Sequence, residues 1–269
     1  MFESDSSELL CELRDRVLTI TFNRPEARNA LSTPLTKNLR GALAWAASAN
    51  EVGAIVVTGA GKAFCAGGDV KRMSGGSSKP APSLESQFQE MRARHHETAG
   101  VLRRMRKPTI AALPGAAAGA GLAIALACDM RVGARSAFVA TGYAGIGLSG
   151  DYGVAWLLTR TIGPAKAREY MLTNERIAAA KAEALGLFNR VVEDSELQVA
   201  AFELAKGLAN GPQVAFGYIK DNLDEAFEID HASAIDREAD RLLKARTTTD
   251  HKEAVKAFSE KRKPTFTGE

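Results

Sequence analysis

Neither sign of charge dominates this chain: 35 Lys and Arg against 32 Asp and Glu leave a formal net charge of +3. That balance argues against a nucleic-acid partner, although it leaves room for a local basic patch facing a phosphorylated ligand. No uninterrupted apolar run approaches the roughly 20 residues that a membrane span needs, so no membrane association is expected. The opening Met1-Phe2-Glu3-Ser4-Asp5-Ser6-Ser7-Glu8 is acidic and polar. It has neither the basic end and apolar stretch of a secretory signal nor the acid-poor composition of a transit peptide. The closing Phe266-Thr267-Gly268-Glu269 is no peroxisomal or retention address. Only three cysteines occur, Cys11, Cys65 and Cys128, scattered and without metal-ligand spacing. Reduced thiols in a cytoplasmic protein, with no metal, are the expectation. The 45% hydrophobic and 25% charged fractions are ordinary globular values, which argues against disorder.

A length of 269 residues suits one large domain with an appendage. Leu13 to Phe22 reads as a β-branched, alternating strand stopped by Asn23-Arg24-Pro25. Ser32 is placed to cap a helix with Pro34 in its first turn, running through Leu39, Leu43 and Trp45. Ala54-Ile55-Val56-Val57-Thr58 is a short buried strand ending at Gly59, and strand–helix–strand implies a right-handed α/β crossover. Residues 74–83 read as a polar loop. One helix is expected to follow, carrying Phe88, Met91, His95 and Leu102 and ended by Pro108, then a buried strand at Thr109–Leu113. A helix pattern covers Leu122–Cys128 within a glycine-rich stretch. After Glu196 the texture turns helical. The chain is therefore divided into a core of residues 1–197 and a helical region of residues 198–269, with no evident internal repeat.

Several motifs fail on inspection. Gly145-Ile146-Gly147-Leu148-Ser149-Gly150 matches the dinucleotide glycine pattern, but no clean buried strand precedes it. Gly59-Ala60-Gly61-Lys62-Ala63 lacks the Ser or Thr and the upstream glycine of a phosphate loop. Gly147 to Asp151 misses the nucleophile elbow, because Asp stands where the second glycine belongs. His95 and His96 are adjacent and so point apart on a helix; one packing and one solvated is the plain reading.

Two segments suit a single chemistry. Lys62-Ala63-Phe64-Cys65-Ala66-Gly67-Gly68-Asp69-Val70-Lys71 follows a strand, and its small residues let a backbone N–H approach a ligand. Pro114-Gly115-Ala116-Ala117-Ala118-Gly119-Ala120-Gly121-Leu122 runs from a strand into a helix, whose first turn presents free N–H groups. Two such donors can share one developing oxyanion. Close packing of a buried helix explains the same small residues equally well.

These segments, in order with Asn23-Arg24-Pro25-Glu26-Ala27-Arg28-Asn29-Ala30-Leu31, Gly147–Gly163 and Ala257-Phe258-Ser259-Glu260-Lys261-Arg262, resemble the crotonase family of enoyl-CoA hydratases and isomerases across nearly the whole chain. The resemblance implies an α/β spiral of stacked ββα units followed by a helical trimerisation region. It implies an acyl-CoA thioester as substrate, coenzyme A being part of that substrate rather than a cofactor, and self-association as a homotrimer or hexamer. Matched position by position, the oxyanion-hole N–H groups fall on Gly68 and Ala120, where the family more often has glycine at the second. Arg28, Ala66, Gly67, Asp69, Val70, Gly119 and Tyr143 fall on substrate-binding positions. Lys71 matches a basic residue near the CoA phosphates. Phe258 and Lys261 match C-terminal positions that approach CoA from a neighbouring subunit. A solvated surface is the alternative for those last three.

The pattern also departs from the family. The two glutamates that family hydratases use to place water correspond to Ala123 and Tyr143, and Tyr143 is a poor base because an unperturbed phenol has a pKa of about 10. Asp69 is expected to hold its loop, Glu85, Glu90 and Glu97 to lie on the surface, and Asp129 to sit at the far end of its helix. Asp151 remains. It matches a position where some isomerases and a dehalogenase of the family carry a catalytic Asp, although an ordinary helix N-cap would also explain it. One carboxylate favours moving a double bond through an enolate over adding water, with hydration the rival. A non-catalytic acyl-CoA-binding homologue lacking both glutamates is the alternative.

Overall fold

The computed structural model describes residues 2–69 and 82–268. Its first strands are β1 (Leu9–Arg14) and β2 (Val17–Phe22), paired antiparallel with Arg14 opposite Val17. The single strand expected over 13–22 is thus a hairpin. Its two turn residues, Asp15 and Arg16, both adopt the left-handed conformation (φ 50° and 65°), as a two-residue hairpin requires. Neither is glycine or asparagine, so the turn carries no strong sequence signal.

Helix α1 (Thr33–Ser48) starts as expected: the Ser32 hydroxyl accepts from Leu35 N–H at 3.1 Å, with Pro34 in the first turn. Leu35, Leu39 and Leu43 are fully buried, one turn apart. Then follow β3 (Ala54–Gly59) and β4 (Ala63–Cys65), helices α2 (Leu84–His96) and α3 (Ala99–Arg104), and strands β5 (Thr109–Leu113) and β6 (Ala116–Ala118). Helix α4 (Ala120–Ala127) precedes β7 (Met130–Ala134) and β8 (Phe138–Ala140). Helix α5 (Val154–Thr173) bends at Gly163-Pro164, where Gly163 leaves helical geometry. The short β9 (Ile177–Ala178), α6 (Ala179–Ala184) and β10 (Arg190–Val192) complete the sheets. Four helices end the chain: α7 (Leu197–Ala209), α8 (Gln213–Glu225), α9 (His231–Arg246) and α10 (Thr249–Ser259). The helix expected from Phe88 to Leu102 is two, broken at Glu97-Thr98. Its N-terminal half is almost wholly exposed, whereas Ala99 and Leu102 are buried.

A six-stranded sheet has the order β1-β2-β3-β5-β7-β10 and is parallel from β2 onward. A smaller sheet has the order β4-β6-β8-β9. Strand, strand, helix recurs three times, at β3–β4, β5–β6 and β7–β8, each time giving one strand to each sheet. This repeat of topology has no counterpart in residue spacing. β3 and β5 are buried along their whole length and read as continuous apolar runs, as strands covered on both faces do. Helix α7 lies on the large sheet through Ala201, Ala205 and Ala209, all fully buried. Among the described residues no helix is long and apolar enough to cross a membrane.

Candidate active site

The site begins with two backbone segments held side by side. Ala66 N–H donates to Arg28 O at 3.0 Å, and Leu31 N–H donates to Gly67 O at 2.8 Å. These bonds tie residues 66–68 to the loop at 28–31. That loop is organised from within by the fully buried Asn29 side chain, which accepts from Arg24 N–H and donates to Ala60 O and Ala63 O. Asp69 behaves as the loop anchor expected of it: its carboxylate lies 3.3 Å from the Arg24 guanidinium. Val70 and Lys71, and residues 74–81 of the expected loop, lie outside the described residues.

The second segment is the start of α4. Gly119 takes φ 53° and ψ −124°, a geometry that favours glycine, and so turns the chain from β6 into the helix. Gly121 lets α4 lie directly on β4: a Cβ there would stand 2.2 Å from Cys65 O. A methyl on Gly67 would stand 2.9 Å from Ala118 O and 3.6 Å from Ala120 N, which shows how near the two segments come. Ala120 is the first helical residue, so its N–H has no intrahelical acceptor. Among the described residues neither Gly68 N–H nor Ala120 N–H finds a backbone acceptor.

Gly68, Ala120 and Asp151 all line one cavity of about 310 Å³. Asp151 sits in a tight turn where Gly150, Tyr152 and Gly153 have φ of 131°, 49° and 79°. A tyrosine at positive φ is uncommon, and such residues cluster at functional sites. The N-cap explanation of Asp151 fails. The residue flanking α5 is Gly153, no side chain caps that helix, and Asp151 contributes only its carbonyl, to Val154 N–H. Its carboxylate instead accepts a 2.5 Å hydrogen bond from the Tyr143 hydroxyl. Burial pushes the Asp151 carboxyl above the usual carboxylate range, against the opposing pull of the Tyr143 hydroxyl and of Arg94. Burial and the neighbouring carboxylate push the Tyr143 phenol up as well, so it stays a donor.

The remaining sequence-derived residues divide. Gly67 and Gly119 shape the two amide segments. Arg28 is exposed and meets the site through its carbonyl. Phe258, on α10, and Lys261, just beyond it, do not line this cavity; Phe258 is 87% exposed. Ala123 is fully buried in the core. Asp129 is structural, accepting from Thr109 and pairing with Lys220 at 2.7 Å. His95 stacks on Tyr152 at 4.1 Å and His96 is exposed, as adjacency implied. Sequence reasoning missed Thr36, Lys37 and Arg40 on α1, Arg94 on α2, and Tyr152, all of which line the cavity. The one available signal was the Thr36/Arg40 spacing of four, which puts the two on one side of α1.

Comparison with known proteins identifies the family. Residues 12–269 match the enoyl-CoA hydratase/isomerase family. The chain is 33% identical to 1,2-epoxyphenylacetyl-CoA isomerase of Escherichia coli strain K12, over 97% of this chain and 98% of that one. It is also 33% identical to 4-chlorobenzoyl coenzyme A dehalogenase-2 of an Arthrobacter species, over 90% and 87%. Among solved structures, an enoyl-CoA hydratase from a Polaromonas species superposes with a TM-score of 0.89 at 33% identity, over 96% and 98% of the two chains. The chain belongs to the enoyl-CoA hydratase/isomerase family, that is, the crotonase superfamily.

Proposed function

We propose that this chain carries out enolate chemistry on an acyl-CoA thioester, with Asp151 as the single acid–base group. The carrying observation is that Asp151, Gly68 and Ala120 line one cavity, with no backbone acceptor for the N–H of Gly68 or Ala120 among the described residues. In this reading the thioester oxygen accepts both N–H groups. Asp151 removes a proton from the acyl chain and the electron pair moves toward the carbonyl, giving an enolate held by the two amides. Each such donor is worth about 10²–10³ in rate. Return of the same proton to a different carbon moves the double bond. The Tyr143 hydroxyl occupies Oδ1 and leaves Oδ2 to handle the proton. A carboxyl whose pKa is raised by burial is a better base than a solvated one.

Isomerisation is favoured over hydration because Ala123 and Tyr143 stand where water-activating glutamates would be. The relatives' names span hydratases, an isomerase and a dehalogenase, all acting on CoA thioesters, which leaves the reaction and the acyl group open. The deciding experiment offers 2-enoyl- and 3-enoyl-CoA thioesters and follows mass and ultraviolet absorbance. Hydration adds a water; isomerisation changes absorbance at constant mass. Binding without any reaction would instead support the non-catalytic acyl-CoA binder. Oligomeric assembly and the approach of Phe258 and Lys261 to CoA from a neighbouring subunit belong to the same proposal.

A further inference from the structure

Three cations line the cavity that holds Asp151: Lys37 and Arg40 from α1, and Arg94 from α2. Two are matched within the chain. Lys37 Nζ lies 2.6 Å from an Asp5 carboxylate oxygen, and Arg40 pairs with Glu97. Arg94 enters no ion pair among the described residues, and its Nε is buried with no hydrogen-bond partner. Acids are within reach of this neighbourhood without closing on it. Asp69 and Glu90 line the same cavity, but Asp69 pairs with Arg24, Glu90 is exposed one turn earlier on α2, and Asp151 is held by Tyr143. The charge of Arg94 nevertheless acts inside the site, where it pulls down the Asp151 carboxyl and the Tyr152 phenol.

We propose that Arg94 receives a carboxylate carried on the acyl group, so that the preferred substrate is a CoA thioester with an anionic acyl chain. The inference rests on the acyl-CoA reading above and narrows it. A guanidinium meets a carboxylate through two parallel N–H···O bonds, and the end-on form of that pair uses its two Nη atoms. The Nε of Arg94 is sealed from solvent, so the end of the guanidinium, unpaired among the described residues, is the part a ligand in the cavity can meet. A plain hydrocarbon chain filling the cavity would strip water from Arg94 and supply no acceptor. The neighbouring groove of about 580 Å³, lined by Phe88, Met91 and Trp156, is the place suited to an apolar chain. It shares Tyr152 with the cavity but includes neither Asp151 nor the two amides.

The test is calorimetric titration of the intact protein with saturated thioesters that can neither isomerise nor hydrate. Succinyl- and glutaryl-CoA are compared with butyryl- and pentanoyl-CoA. The carboxylated pair should bind at least about tenfold more tightly, in keeping with a charge-assisted bidentate contact. In Arg94→Gln that preference should collapse, with the affinity for butyryl- and pentanoyl-CoA unchanged, which also certifies the fold of the variant. Equal affinity for the two series overturns the inference. So does a preference that survives Arg94→Gln, or a variant that weakens both series alike, which would put Arg94 on the CoA moiety or in the fold. Failure of all four to bind defeats the acyl-CoA reading and the inference with it. Binding with the stated preference but no turnover of enoyl thioesters defeats only the catalytic reading.

Discussion

The surroundings of Asp151 disfavour its charged form. Burial raises its folded pKa above the unfolded value of 3.8, so the fold favours the protonated carboxyl. The stability contributed by this group is full below the unfolded pKa and is lost as pH rises through the folded one. Once ionised, the side chain is a net cost to the fold. Asp151→Asn removes the charge, and its amide oxygen still accepts from Tyr143. We expect turnover to fall by orders of magnitude while the thermal midpoint at pH 7 stays level or rises, the gain vanishing at about pH 3, where wild-type Asp151 is also neutral. Full activity in Asp151→Asn would place the base elsewhere. Tyr143→Phe tests the partner. Losing a hydrogen bond to the ionised form should raise the Asp151 pKa further, against the unchanged influence of Arg94, Cys65 and Tyr152 around it. The acid limb of kcat/KM should move upward by about one pH unit, the scale of a hydrogen bond to a charged group. An unmoved limb would detach Tyr143 from the base. At this scale the sequence exposed Asp151 by elimination of the other acids. It could not show the hydroxyl eight residues earlier, because a turn with three positive-φ residues brings Tyr143 back onto it.

Helix starts carry the rest of the site. Proline is well tolerated at the first position of a helix, where its missing N–H has no helical partner in any case. Because Ala120 is that position in α4, Ala120→Pro deletes one oxyanion donor without breaking the helix. Turnover should drop on the order of 10²-fold or more in a protein with wild-type circular dichroism. Near-normal turnover would remove Ala120 from the hole. Helix α2 makes a separate prediction through His95. Burial, with help from Arg94 and His96, depresses its pKa to about 4. Stability from the neutral imidazole is thus present above the ordinary histidine value of 6.5 and is lost as pH falls through about 4. The urea midpoint should decline across that window, and His95→Phe, which keeps an aromatic ring against Tyr152, should flatten the decline; an equally steep decline in the variant would mean that other groups cause it. Elements with strong local signals were legible: the Ser32 cap with Pro34, the apolar run of β3 and the apolar α4. Those set by backbone geometry alone were not. The Asp15-Arg16 turn lacks the usual residues, and the break at Glu97-Thr98 between α2 and α3 has neither glycine nor proline.

At the scale of the molecule, the three strand–strand–helix units explain why the site lies where it does. The β4 and β6 ends bring the Gly68 and Ala120 amides together, and the turn after β8 adds Asp151. In the proposed reading, two of these units supply the oxyanion donors and the third supplies the base. The C-terminal helices contribute little to this. Helix α7 is buried on the large sheet, but α8 to α10 leave large apolar side chains in solvent. Leu223 is 64% exposed, Leu242 62%, Leu243 61% and Phe227, just past α8, 73%. The proposed assembly would cover these exposed apolar side chains. A closed symmetric assembly buries equivalent patches of every subunit at once. The resemblance to crotonases points to a trimer or a pair of trimers, so the protein should sediment at micromolar concentration as a multiple of three 28.6 kDa chains. Replacing Leu242 and Leu243 together by glutamate places two charges in the expected contact. Little cost to the isolated subunit follows, because both side chains are already exposed in it. That variant should shift to smaller species while its circular dichroism stays at the wild-type level. A wild-type protein that sediments as a monodisperse monomer would rule the assembly out, and an unshifted double variant would move the contact away from α9.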